Sequence, residues 1–337
     1  MKRIGIPRGL YYYKYYPFAK IFLTELGAEV VLSPETNKEI LDIGSKYCID
    51  DACLPVKVYH GHVYFLKDKV DYVLIPRFTS ISAKEYICPK FGGLPEMVRY
   101  SIPMNSPIID IEINLYKNKF NLYKSLFSLG NMLGANPIQI KKAINKAFKT
   151  HYVYKKDLLN GNLPAVLIEN KKPVKIKTKS IVGIVSHPYL LYDSFINMNL
   201  LKKLSGRCIK YITPEMIDSQ IIDNLCNELE KRIFWSSSKE LIGSALYMMN
   251  INRIEGILLL TSFACGIDSL SLELIIRIAN KIYNKPIMML TLDEHTGEAN
   301  FNTRLEAFMD LVERRQNLDN NLSPYGRGIY CSERNIR

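Results

Sequence analysis

The chain carries a half-copy of itself, and this constrains its fold more than any other feature. Residues 4–9 read IGIPRG and residues 182–188 read VGIVSHP, short apolar runs with a central glycine that end at a turn. SPE at 33–35 returns as TPE at 213–215. VDYVLIP at 70–76 returns as IEGILLL at 254–260, and Cys88 and Cys265 follow these runs. PIIDIEI at 107–113 returns as PIMMLTL at 286–292. Lys57 and Gly61 sit four apart, as do Lys239 and Gly243. Landmarks that recur in one order at a nearly constant offset mark a repeated unit. A shared strand–helix rhythm between unrelated α/β units is the alternative, and the constancy of the offset favours duplication.

Both halves follow one grammar, with short apolar runs bounded by Pro, Gly or Ser alternating with longer amphipathic stretches. The first half predicts strands at 3–7, 29–33, 71–76 and 107–112, with helices at 16–27, 55–67 and 92–100. The second predicts strands at 181–185, 208–213, 256–261 and 286–292. Its helices are expected at 193–205, 216–231, 237–249, 267–282 and 299–316. Alternating strands and helices imply parallel sheets with crossover helices. The expected fold is α/β, with two doubly wound, Rossmann-like parallel-sheet lobes related by duplication and a helical insertion. The expected division is an N-terminal lobe at 1–115, a helical segment and basic linker at 116–179, a C-terminal lobe at 180–317 and a tail at 318–337. Within the second segment, 119–158 reads as helical and KKPVKIKTK at 171–179 as the linker.

At 337 residues the chain is long enough for about two domains. Its 47% hydrophobic and 23% charged residues describe an ordinary globular protein and exclude disorder, collagen and a disulfide miniprotein. No run approaches the ~18 apolar residues of a membrane span, and Pro7 and Arg8 cut the first apolar stretch too early for a signal peptide. An odd count of seven cysteines without an export signal points to a reducing cytoplasm and to free or metal-bound thiols. The net charge of +12 is concentrated in lysines between Lys117 and Lys179. Nucleic acid is the minor reading of that excess. The favoured one is a solvated lysine face that meets an acidic partner or a phosphorylated ligand.

Three cysteines stand at predicted strand-to-helix turns. Cys53 lies in DDACLPVK, Cys88 in ICPKFGGLPEM and Cys265 in SFACGIDSLSLE. In open parallel sheets, ligands sit beyond the carboxyl ends of the strands, so facing lobes would bring these turns to a shared cleft. Helix N-termini carry positive potential and unpaired N–H groups, which make a thiol more acidic, and thiolate is the metal-binding form. Such a set suits an iron–sulfur cluster or zinc. The competing reading, three inert buried thiols, has equal weight on these grounds alone. Cys48 is a candidate fourth ligand. Cys208 and Cys226 read as packing residues, Cys331 as incidental, and the absence of CxxC weakens zinc-ribbon and thioredoxin readings.

His60 and His62 flank Gly61 on a predicted helix, and two residues apart they point to different faces. Gly61 there implies close packing or the approach of a ligand. Asp293, Glu294, His295, Thr296 and Glu298 cluster with Arg304 in the last strand-to-helix turn, as an acid–base set or as a capped helix start. His60, His295 and Glu298 are therefore the candidate catalytic groups. No Walker A loop, GxGxxG or GxSxG occurs.

Seven strings in order carry a resemblance across residues 3–315: IGIPRGLYYYKYYPF, CLPVKVYHGHV, CPKFGGLPEMV, HPYLLYDSFINMNLLKKL, TPEM, LLLTSFACGIDSLSLELI and TLDEHTGEANFNTRLEAF. Together they resemble the CoA-substrate-specific enzyme activase-related (acyl-CoA dehydratase activase-related) family, which is similar to 2-hydroxyacyl-CoA dehydratase and benzoyl-CoA reductase subunits and to double-cubane cluster proteins. The ATP-binding activase domain itself is absent from the chain.

The resemblance implies a 4Fe–4S cluster between the lobes, held by Cys53, Cys88 and Cys265, with one iron open. Cys48 is a candidate fourth ligand or part of a larger double-cubane cluster. It further implies low-potential electron transfer from an ATP-dependent activase to an acyl-CoA-like or other small substrate, as a dehydratase or reductase. Pairing with a second copy or a related subunit is implied too. Lys57, Lys90 and Asp268 join the three catalytic candidates as groups near the cluster or the substrate. A non-catalytic electron relay or scaffold for an activase is the alternative, and a metal-free small-molecule-binding protein is the weaker one.

Overall fold

The computed structural model describes residues 1–169, 177–283 and 285–320. The first half runs β1 (Arg3–Ile6), α1 (Tyr12–Glu25), β2 (Glu29–Leu32), α2 (Lys38–Tyr47), α3 (Leu54–Leu66), β3 (Tyr72–Leu74), β4 (Arg77–Ser80), α4 (Pro89–Gly92), α5 (Leu94–Ser101), β5 (Ile108–Ile109) and β6 (Glu112–Asn114). Three helices follow: α6 (Phe120–Met132), α7 (Pro137–Leu159) and α8 (Pro164–Glu169). The second half runs β7 (Ser180–Val185), α9 (Pro188–Leu191), α10 (Leu200–Gly206), β8 (Ile209–Ile212), α11 (Ser219–Asn227), α12 (Ser236–Asn250), β9 (Gly256–Ser262), α13 (Gly266–Ile282), β10 (Ile287–Leu292) and α14 (Glu298–Asn320).

The two main sheets share one topology. The first is ordered β2-β1-β3-β5 and the second β8-β7-β9-β10, with every pairing parallel. A parallel pair, β4 and β6, extends the first half. Side chains alternate across the strands. Leu258 and Leu260 of β9 join the apolar cluster that contains α10 and α14, whereas Ile257 and Leu259 join the one that contains α12 and α13. In the first sheet Ile4 and Leu74 face α1 and α7, and Val73 faces α3 and α5. Both sheets are covered on both faces, which is why their strands read as continuous apolar runs.

The repeat is visible in packing as well as topology. A Cβ on Gly61 of α3 would lie 1.9 Å from the Ile40 carbonyl oxygen of α2, and a Cβ on Gly44 would lie 2.0 Å from that of Lys57. The close approach noted at Gly61 is thus a helix crossing. Gly243 of α12 does the same work against α11, where a Cβ would lie 2.9 Å from the Ile222 carbonyl oxygen.

Each of these paired helices reaches across to the other half. The Leu54 amide at the start of α3 donates to Ser262 Oγ of β9 at 3.1 Å, and Lys57 pairs with Glu294. In return, Ser236 at the start of α12 donates its amide to the Tyr86 carbonyl at 2.9 Å, and Lys239 pairs with Glu85 at 2.8 Å.

Three expectations change. The first helix begins at Tyr12 and contains Pro17, which has no N–H to give the Tyr13 carbonyl. The Tyr154 hydroxyl of α7 donates to that carbonyl instead, which ties the helical insertion to α1. The helix expected at 193–205 is confined to α10. Asp193 accepts from the amides of Phe195 and Ile196, and Asn197 donates to the carbonyls of Leu190 and Leu191. Short polar side chains that take over backbone partners in this way favour turns over helix, and Met198 and Asn199 accordingly have positive φ. The strand expected at 107–112 divides into β5 and β6. Most of the basic linker, 170–176, and Cys331 lie outside the described residues. No described helix is long and apolar enough to cross a membrane.

Candidate functional site between the lobes

Cys53, Cys88 and Cys265 line one small cavity of about 30 Å³. Each is the residue immediately before a helix: Cys53 before α3, Cys88 before α4 and Cys265 before α13. Pro55 and Pro89 start the first two helices where an N–H would go unused. The first-turn amides lie near the sulfurs without being capped by them; those of Val56 and Phe91 donate to the Cys53 and Cys88 carbonyls at 2.9 and 3.0 Å. The sequence brings two sulfurs from the first half and one from the second, and the fold delivers them to the same space.

The expected acidity of these thiols is not what the structure gives. Burial pushes all three above the ordinary thiol value, and at Cys265 the Asp268 carboxylate adds to the rise. Desolvation of the anion outweighs the helix N-terminus and the amides. Without a cation the three therefore rest as thiols, and they bind metal only with release of protons.

Two ion pairs also line the cavity. His187, after β7, places Nε2 at 2.9 Å from Asp268 Oδ1. Burial works against the imidazolium, but Asp268 more than compensates, so the His187 pKa is raised; burial likewise opposes the Asp268 anion, whose pKa His187 lowers. Thr261 also donates to Asp268, at 3.4 Å. Lys14 of α1 meets Glu240 of α12 at 2.8 Å across the lobes. Tyr11, Phe91 and Tyr189 supply aromatic lining.

The other candidates are dispersed. Cys48 is buried in the apolar cluster of the first half and does not line the cavity. His60 is buried, with Nδ1 donating to the Val56 carbonyl of its own helix at 2.7 Å. His62 faces the Thr36 hydroxyl at 3.0 Å. His295 and Glu298 are exposed, the latter paired with Lys203 at 2.9 Å. Lys90 and Asp268 line the cavity; Lys57 does not. Cys226 is packed against α12.

Among the described residues no three His, Cys, Asp or Glu groups are gathered closely enough to hold a single metal ion. The sulfurs surround a space and do not converge on a point. Sequence reasoning gave no role to Lys14, Glu240 or His187. The signals were a lone charge inside YYYKYYPF, the neighbour of the repeated Lys239, and a histidine after the first strand of the second half.

This is an α/β protein of two similarly wound lobes with a thiol-lined cavity between them. The family model described as CoA enzyme activase uncharacterised domain (DUF2229) matches residues 3–217, and the chain belongs to that family. The matched segment contains Cys53, Cys88 and His187; Cys265 and Asp268 lie beyond it. No curated protein matches the chain.

Proposed function

We propose that Cys53, Cys88 and Cys265 hold an iron–sulfur cluster of the 4Fe–4S type and that the chain takes part in low-potential electron transfer to an acyl-CoA-like or other small substrate. One observation carries this reading: three thiols, each the residue before a helix start, line one interlobe cavity. Sulfur donors spaced around a cavity suit a body larger than one ion, and the positive potential of the helix starts beside them favours thiolate ligands. When bound, the cluster supplies the electron and an open iron as Lewis acid.

The chain's own residues have definite tasks in this reading. The three cysteines bind the cluster after losing their protons. Asp268 orients the His187 ring through Nε2 and favours its imidazolium, which lets His187 act as an acid for a reduced substrate. Lys14 and Glu240 fix the lobes against each other. Tyr11, Phe91 and Tyr189 keep water away from the sulfurs. Membership in a CoA enzyme activase-related family supports an ATP-dependent activase as the electron source.

Anaerobic reconstitution with iron and sulfide tests the reading. The wild-type chain is expected to take up iron and show the visible absorption of a cluster, with Cys265→Ser losing the iron and keeping its circular dichroism. Full iron retention in Cys265→Ser, or an iron-free wild type, rejects the assignment. Turnover of candidate thioesters by the activase-reduced protein then separates an enzyme from a relay.

A further inference from the structure

The helical insertion concentrates the positive charge of the chain on one exposed surface. Between residues 115 and 169 there are nine lysines, no arginine and two acids, Asp157 and Glu169. All nine lysines are exposed. On α7 the buried Ile140, Ala143, Ile144, Ala147 and Tyr154 form one face, and Lys141, Lys142, Lys149 and Lys156 lie on the other. Among the described residues only Lys146 of the nine has a carboxylate partner, Glu25 at 2.6 Å. Phe120 and Tyr152 stand 71% exposed among these lysines.

Beneath this face a series of rings leads to the cysteine cavity. Tyr123 of α6, itself 41% exposed, lies 5.8 Å from Phe148, and Phe148 lies 5.1 Å from Phe18. Phe18 is 6.3 Å from His151, His151 is 5.6 Å from Tyr15, and Tyr15 is 5.5 Å from Tyr11, which lines the cavity beside Cys88. Closely packed atoms carry a tunnelling electron better than water or void does, and these rings run from surface to site in steps of 5.1–6.3 Å between centroids.

We propose that the lysine face of α6 and α7 docks an acidic electron-carrier protein, and that the rings beneath it couple that carrier to the cysteine cavity. One electron leaves the reduced centre of the carrier and one is gained in the cavity; no bond is made or broken. This electron path rests on the cluster reading above and makes the carrier a second donor beside the activase, whereas the docking rests on neither. The charge calls for an acidic partner, and steering by surface charge suits a short-lived electron-transfer encounter. Charge alone would equally attract a nucleic-acid strand. The apolar residues of the face are scattered among the lysines, not gathered into the single stripe of a membrane-surface helix. The ring series gives a protein carrier, unlike either of these, a reason to dock here.

The test uses the full chain with and without reconstituted iron and oxidised plant-type 2Fe–2S ferredoxin as the probe. Ferredoxin is expected to bind both forms, more weakly as salt rises. The triple variant Lys142→Glu, Lys149→Glu, Lys156→Glu should weaken binding by about tenfold or more while keeping its circular dichroism. His151→Leu should leave that binding unchanged and slow reduction of the iron-loaded protein by bound reduced ferredoxin. Iron counting on the same samples separates the two readings: a chain that takes up no iron on reconstitution yet binds ferredoxin through these lysines ends the cluster assignment and keeps the surface. An iron-loaded chain that does not bind ferredoxin, or binds it equally well in the triple variant, ends the docking proposal. Tighter binding to a single-stranded oligonucleotide or to phosphatidylserine vesicles ends it as well.

Discussion

Lys14 Nζ and Glu240 Oε2 lie 2.8 Å apart at the wall of the cavity, and they belong to different lobes. Burial disfavours both charges, yet each raises the other's preference for the ionised state, so the Lys14 pKa moves up and the Glu240 pKa moves down. Lys14→Met leaves a carboxylate stranded in a poor solvent. It is expected to lower unfolding stability by about 3 kcal/mol, whereas Lys14→Met with Glu240→Leu recovers most of that loss. Denaturant unfolding of the two singles and the double completes the cycle. Equal stability of the Lys14→Met variant and wild type would show that the pair does not hold the lobes.

Asp193 links stability to acidity. Burial lifts its pKa to about 6, despite the hydrogen bonds from Thr36 and from the amides of Phe195 and Ile196. A carboxyl raised on folding contributes stability that is complete below the ordinary value near 3.9 and is lost as pH rises through about 6. An asparagine in place of the acid keeps an oxygen for the two amides. The advantage of Asp193→Asn over wild type should therefore grow between about pH 4 and pH 6 to as much as about 3 kcal/mol and stay level above about pH 7. Melting temperatures across that range check it; a flat difference contradicts the assignment.

The α2–α3 crossing predicts opposite outcomes for two glycines. Gly61→Ala drives a methyl group into the Ile40 carbonyl, and overpacking of this kind costs about 1–3 kcal/mol or more. Gly206→Ala, at the end of α10 with no atom within 4 Å of the new methyl, should be neutral or stabilising by up to about 1 kcal/mol. Chemical denaturation of both variants measures the contrast.

Metal loading should show in thiol chemistry independently of any activity. After iron and sulfide are added, Cys53, Cys88 and Cys265 are expected to resist alkylation in the native protein, while half-buried Cys208 remains open to it. A chelator should restore labelling at the three. Mass spectrometry of the labelled peptides reads the result, and unchanged labelling at Cys265 counts against its role as a ligand.

Much of the fold was legible because parallel strands covered on both faces are written as runs such as ILLLT at 257–261, which the amphipathic helices separate. What escaped was set by side chains acting on the backbone. Asp193 and Asn197 dissolved a helix that hydrophobic spacing predicts, and the earlier start of α1, with Tyr154 supplying the donor that Pro17 lacks, was not readable. The placement of Cys53, Cys88 and Cys265 at helix starts was readable from turn residues, and their gathering at one cavity followed from strand order. Their acidity was misread because sequence reveals the helix terminus but not the depth of burial around it. Lys14 and Glu240 are 226 residues apart, and only the folded chain shows that they are partners.

The reciprocal reach of α3 and α12 has a mechanical consequence. Each helix start finishes its contacts on the opposite half, so parting the lobes would strand the Leu54 and Ser236 amides together. The halves therefore resist opening at two places at once, one on each side of the duplicated plan.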